Sequence, residues 1–102
     1  MNKEQINGIT SMLNNKVNLK ENILIQELAG ESVVLNLDQE EYFGLDQIAT
    51  EMLSVLKESA SIQIACDRLV QSYAVEPEEI RQDVLDLVEK LINHGLVKVT
   101  NS

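Results

Sequence analysis

Between Val17 and Leu45 apolar residues tend to alternate with polar ones, and from Ile48 onward they recur at helical spacing. That change of period, at Asp46, constrains the fold of this chain more than any other feature. In Glu40-Glu41-Tyr42-Phe43-Gly44-Leu45-Asp46 a short strand runs straight into a helix. Asp46 suits the N-cap, since its carboxylate can accept from the free backbone amides that open a helix. The strand ending there is the last of its sheet, so one of its edges is expected to be unpaired, and an unpaired edge can accept another chain.

Upstream of the junction, Val17 and Leu19 alternate with Asn18 and Lys20, and Ile23-Leu24-Ile25-Gln26-Glu27-Leu28 is rich in β-branched and aliphatic residues. Together they read as a first strand. Ala29-Gly30-Glu31 supplies a Gly for a tight turn, after which Val33, Leu35 and Leu37 alternate with Val34 and Asn36 as a half-buried second strand. Asp38-Gln39-Glu40 is a polar turn, and Tyr42 to Leu45 form the third strand, with Phe43 and Leu45 on one face and Tyr42 and Gly44 on the other. Short turns between three sequential strands imply an antiparallel meander. Before it, Ile6, Ile9 and Leu13 fit either one short helix over Met1 to Asn15 or a frayed tail. Residues 1–21 read as an N-terminal extension and residues 22–99 as the folded domain.

Three helices follow. Ile48, Met52, Val55 and Leu56 fall on one stripe of the first, through about Lys57. Ser59-Ala60-Ser61 interrupts it, Ser61 caps the second, and Ile62, Cys66, Leu69, Val70 and Tyr73 make the buried face of that helix. The third starts with Glu76 at the cap, Pro77 at the first helical position, Glu79 in the first turn, and Val75 and Ile80 spaced as a hydrophobic staple. Lys90 and His94 suit its C-terminal dipole and Gly95 its left-handed terminator. Leu96-Val97-Lys98-Val99 is a short apolar tail able to dock in extended form. On the third helix Leu87, Ile80, Leu91, Val84 and Val88 form a stripe that Leu85 and Ile92 widen to roughly 160°, against about 100° for a simple surface helix. Either the terminal segments cover the spare flank, or it faces the last strand across a groove.

Composition excludes several functions. A chain of 102 residues is one small domain, and with 44% hydrophobic residues but no Trp, one Phe and two Tyr its core must be aliphatic. A net charge of -9 with only eight Lys and Arg disfavours nucleic acid, which is bound largely by cations that displace counterions from phosphates. No signal-peptide stretch opens the sequence and no run reaches the roughly 18 apolar residues of a membrane span, so a cytoplasmic location is expected, with no membrane partner. The single Cys66 can form no internal disulfide and no Cys-based metal site. It falls on a buried stripe, which argues against a nucleophile paired with His94. The acids Glu76, Glu78, Glu79 and Asp83 have a sufficient explanation in the helix dipole, so no metal, cofactor or catalytic constellation is expected.

The run Val33-Val34-Leu35-Asn36-Leu37-Asp38, then Glu41-Tyr42-Phe43-Gly44-Leu45, Ile48-Ala49, Met52-Leu53, Ile62, Leu69, Tyr73, Val75-Glu76-Pro77-Glu78-Glu79, Val84, Leu91 and Gly95-Leu96 resembles the PqqD-like family. These are small peptide chaperones, or precursor-peptide recognition elements, of ribosomally made natural products. The similarity spans about Asn22 to Val99 and rests on hydrophobic patterns, the Tyr-Phe-Gly-Leu strand before a capped helix being its most specific part. Asp46 stands where the family more often has Asn, and Glu58-Ser59 replaces an Asp-Gly-like turn.

The resemblance implies an α+β, winged-helix-like fold, a three-stranded antiparallel sheet followed by three helices. It also implies a non-catalytic adaptor that binds the leader segment of a precursor peptide by strand addition at the third strand and in a groove against the third helix. Within the family the chain looks most like the recognition protein of lasso-peptide clusters, which delivers its precursor to a cysteine-protease partner before a macrolactam cyclase acts. Related recognition domains serve radical and other modifying enzymes. The implied peptide-binding residues are Glu41, Tyr42, Phe43, Gly44 and Leu45 through the strand, and Val84, Leu87, Val88 and Leu91 through the helix. Arg81 and Lys90 flank the helical stripe on opposite sides, one of them placed to read a leader carboxylate or both simply solvated. The competing class is a DNA-binding winged-helix regulator, whose recognition helix would carry the net acidic set Glu78, Glu79, Arg81, Asp83, Asp86, Glu89 and Lys90.

Overall fold

The computed structural model describes residues 11–101, so most of the segment weighed as an N-terminal helix or tail lies outside the described residues. A 3-10 turn over Ser11–Asn14 leads into β1 (Asn15–Leu19), β2 (Ile23–Leu28), β3 (Glu31–Asn36) and β4 (Glu41–Leu45). Then come α1 (Gln47–Glu58), α2 (Ile62–Ser72), α3 (Pro77–Asn93) and β5 (Val97–Asn101). The strands β2, β3 and β4 form the antiparallel meander in that order, followed by three helices.

The alternation from Val17 to Leu28 reads as one strand, and the structure divides it. Lys20, Glu21 and Asn22 break the run, with Asn22 at φ 64°, a left-handed conformation that Asn tolerates better than most residues. The piece before the break leaves the meander and pairs with the C-terminal tail, Asn15 opposite Asn101 and Leu19 opposite Val97. This second, two-stranded sheet is not anticipated by the sequence. It ties residues within the supposed extension to the core, where Val17 is only 1% exposed.

Three short devices set the helices. Asp46 accepts from the Ala49 amide at 2.8 Å and its carbonyl accepts from the Thr50 amide at 2.8 Å, so the last residue after β4 opens α1. Thr50 also shares a buried 2.8 Å hydrogen bond with the Ser32 hydroxyl, which fixes α1 against the inner face of β3. Ser61 caps α2 by accepting from the Ile64 amide at 3.1 Å. Glu76 caps α3 through its backbone alone, its carbonyl accepting from Glu79 and Ile80 while its side chain makes no cap bond. Replacing Asp46 with Ala should cost about 1 kcal/mol, a typical value for a lost N-cap, seen as a lower thermal midpoint without a change in the folded spectrum.

The helices close over Val34, Leu53, Leu56, Ile62 and Leu69, all at most 2% exposed. α3 packs against α2 and β5, and Val84, Val88 and Leu91 of its wide stripe are fully buried. Ile48 departs from the expected stripe of α1: it is 53% exposed, while Thr50 and Leu53 take the inner positions. Cys66 is buried in α2, and burial pushes its thiol up from an ordinary 9.0 to about 11, with the Arg81 charge opposing the shift and Asp67 adding to it. A thiol whose pKa is raised by folding stabilises the protein below the unfolded value and loses that contribution as pH climbs through the folded one. The thermal midpoint should therefore decline between pH 9 and 11, and Cys66→Ala should flatten that limb.

Candidate functional site

The hairpin geometry determines which backbone groups β4 offers. Ala29 and Gly30 have φ of 55° and 85°, the two-residue mirror-image turn that matches strand twist, so Leu28 and Glu31 face each other as a hydrogen-bonded pair. Hydrogen-bonded pairs recur at every second residue, and the Leu37 amide donating to the Asn22 carbonyl at 3.0 Å confirms the parity at the far end. Glu31, Val33 and Leu35 therefore turn their backbones toward β2, and Ser32, Val34 and Asn36 toward β4. Their partners Leu45, Phe43 and Glu41 are bonded inward. The N–H and C=O groups of Tyr42 and Gly44 consequently point to the outer edge, which pairs with no strand among the described residues.

α3 presents one line of side chains beside that edge. His94 lies on Phe43 with ring centroids 4.7 Å apart, which places the C-terminal end of α3 over the middle of β4. Asn36, Glu40, Glu41, Tyr42, His94 and Leu96 surround a hollow of about 350 Å³ there. A second hollow, of about 290 Å³, lies between Asp46, Ile48 and Ala49 on one side and Asp83, Leu87 and Lys90 on the other. A third, of about 120 Å³, continues it through Ile48 and Met52 to Tyr73 and Val75. On α3 the residues Asp83, Leu87, Lys90 and His94 are spaced three or four apart and so share one face. The second and third hollows share Ile48, Met52 and Asp83, and His94, one turn beyond Lys90, carries the same face of α3 to the first, so β4 and the start of α1 on one side and this face of α3 on the other wall a groove.

The expected site residues separate into two sets. Glu41, Tyr42, Phe43, Leu87 and Lys90 line the hollows, and Gly44 and Leu45 complete the strand, with Gly44 exposed and Leu45 buried. Val84, Val88 and Leu91 are 0% exposed and line no open surface. Arg81 is ion-paired with Glu78 and lines none of the three hollows. Lys90 is thus the cation that borders the groove. Asn36, Ile48, Asp83, Asp86 and His94 also belong to the lining and carry no separate mark in the sequence.

Cys66 is a buried free thiol, and His94 is a ring at a helix end tilted 40° against Phe43. No three His, Cys, Asp or Glu side chains are placed to hold a metal ion among the described residues. No helix among them is long and apolar enough to cross a membrane.

Solved structures of the same fold include TbiB1 in complex with the TbiA(beta) leader peptide. It is 25% identical to this chain, with a TM-score of 0.74, over 79% of this chain and 94% of that one. A lasso peptide synthetase B1 complexed with the leader peptide matches at 23% identity and a TM-score of 0.75, over 81% of this chain and 98% of that one. No curated protein sequence matches. The profile of PqqD, coenzyme PQQ synthesis protein D, matches residues 31–97, from the first residue of β3 to the first of β5. On the strength of that match over more than half its length, this chain belongs to the PqqD family.

Proposed function

We propose that this chain is a non-catalytic adaptor that binds the leader segment of a ribosomally made precursor peptide. The leader adds as a fourth strand to the outer edge of β4 and rests its inward side chains on the Asp83–His94 face of α3. The observation that carries this reading is the pair of outward backbone units at Tyr42 and Gly44, set beside an apolar groove. Strand addition needs a row of unpaired donors and acceptors with pockets for alternate side chains, and β4 offers both. The other free edge, β2, carries the exposed Leu24 and Leu28, but the α1 residues beside it, Gln47, Glu51 and Ser54, line a polar hollow with Glu27 and give a guest no apolar helix wall. The two structural neighbours in complex with leader peptides support the same assignment.

In this reading the fold is a winged-helix variant turned from nucleic acid to peptide. The exposed surface of α3 carries Glu78, Glu79, Asp83, Asp86 and Glu89 against Lys90, which opposes a phosphate backbone. The adaptor works in the cytoplasm, handing the leader to a cysteine protease before a macrolactam cyclase closes the product, the lasso-peptide pathway. The experiment is a titration of the chain with the leader of a short precursor peptide encoded beside its gene, followed by fluorescence anisotropy. Saturable binding, with protease and cyclase genes adjacent, is expected. Absence of such a precursor and of those genes removes the lasso assignment, and absence of binding to the leader removes the adaptor role.

A further inference from the structure

Resting on leader binding at β4, we propose that the guest is a cationic segment: an extended peptide with Lys or Arg on both sides of a short apolar centre. Glu40 and Glu41 stand at one end of the groove, and Asp46, Asp83 and Asp86 at the other. Glu79 extends the acidic end past Ile48. The ion pairs among the described residues are Arg68–Glu58 and Arg81–Glu78, so none of these six carboxylates is paired with a described cation. Asp46 accepts from the Ala49 amide and Asp86 from the Gln82 side-chain amide, bonds that leave the negative charge in place. Lys90 is the one lysine or arginine on the lining.

Between the acidic ends lie Phe43 against His94 at one point and Leu87 facing Ala49 and Met52 at the next, with Lys90 the single cation between them. From Glu41 to Asp46 the chain advances five residues, roughly 17 Å at strand rise, so matching cations on the guest stand about five or six residues apart. Backbone ladder bonds at Tyr42 and Gly44 accept any extended chain and carry no sequence information. Charge complementarity across the groove supplies part of the missing selection, by speeding the encounter with basic segments and repelling acidic ones. The net charge of -9 draws cationic segments toward the whole molecule as well.

The test pans a phage-displayed library of random 15-residue peptides against the full chain and discards every clone that also binds Gly44→Pro. The clones that remain should be enriched severalfold in Lys and Arg flanking an apolar core, and their binding should weaken as salt is raised. The double variant Glu41→Lys, Asp83→Lys, altered at two exposed positions, should instead select Asp and Glu. Clones that depend on Gly44 but show no basic enrichment, or an acidic one, overturn the cationic guest while leaving strand addition at β4 intact. If every binding clone is indifferent to Gly44→Pro, strand addition at β4 falls, and the cationic guest with it.

Discussion

Gly44→Pro should reduce leader affinity by roughly a hundredfold or more while leaving the fold in place. The ring removes an N–H that points outward, so no hydrogen bond within the β2–β3–β4 sheet is lost, and an edge strand tolerates proline on its solvent side. A Cβ at this position meets no atom within 4 Å, so space is available. The guest loses the bond to that amide, worth up to about 1.5 kcal/mol or roughly tenfold. It also meets the ring where its backbone must approach, and the clash disturbs the neighbouring bonds at Tyr42. Gly44→Ala keeps the donor and fits the same open space, so its affinity should stay within a few fold of the original. Anisotropy titration of the two variants, with circular dichroism to confirm folding, separates a lost backbone contact from a lost shape.

Val88→Asp should abolish cooperative folding. Val88 is fully buried on α3, within the stripe that the sequence assigns partly to a peptide groove. The substitution removes about 2 kcal/mol of apolar burial and strands a carboxyl without a partner, a further 2–7 kcal/mol even if it takes up a proton. Such a sum is comparable with the whole stability of a small domain, about 5–15 kcal/mol. Glu89→Lys, one residue on and exposed, should change stability by no more than about 0.5 kcal/mol. A cooperative melt retained by Val88→Asp would contradict the packing of α3 described above.

Features with local causes were the ones legible in the sequence. Asp46, Ser61 and Pro77 each mark a helix start through the chemistry of one or two residues, and each start lies where that chemistry puts it. The free edge of β4 follows from its being the last strand of a meander, and that too is local. Pairing between Asn15 and Asn101 leaves no periodic trace, because its two halves stand at opposite ends of the chain. For the same reason the tail from Leu96 to Val99 reads only as apolar, and its partner is hidden. Helical spacing shows that Val84, Leu87, Val88 and Leu91 share a stripe, but it cannot say how much of the stripe the neighbours cover. The choice between Arg81 and Lys90 likewise depends on which side of α3 borders the groove, a question of tertiary packing. His94, explained well enough by the helix dipole, gives no hint that its ring rests on Phe43.

Residue-resolved amide exchange tests strand addition most directly. In the free chain the Tyr42 and Gly44 amides face solvent while those of Phe43 and Leu45 are tied to β3, so the strand should show alternating protection. A saturating leader peptide should slow exchange at Tyr42 and Gly44 and leave β2 unchanged. If the leader binds while Tyr42 and Gly44 exchange as before, or if new protection falls on the outward amides of Ile25 and Glu27 in β2, the guest does not sit at β4.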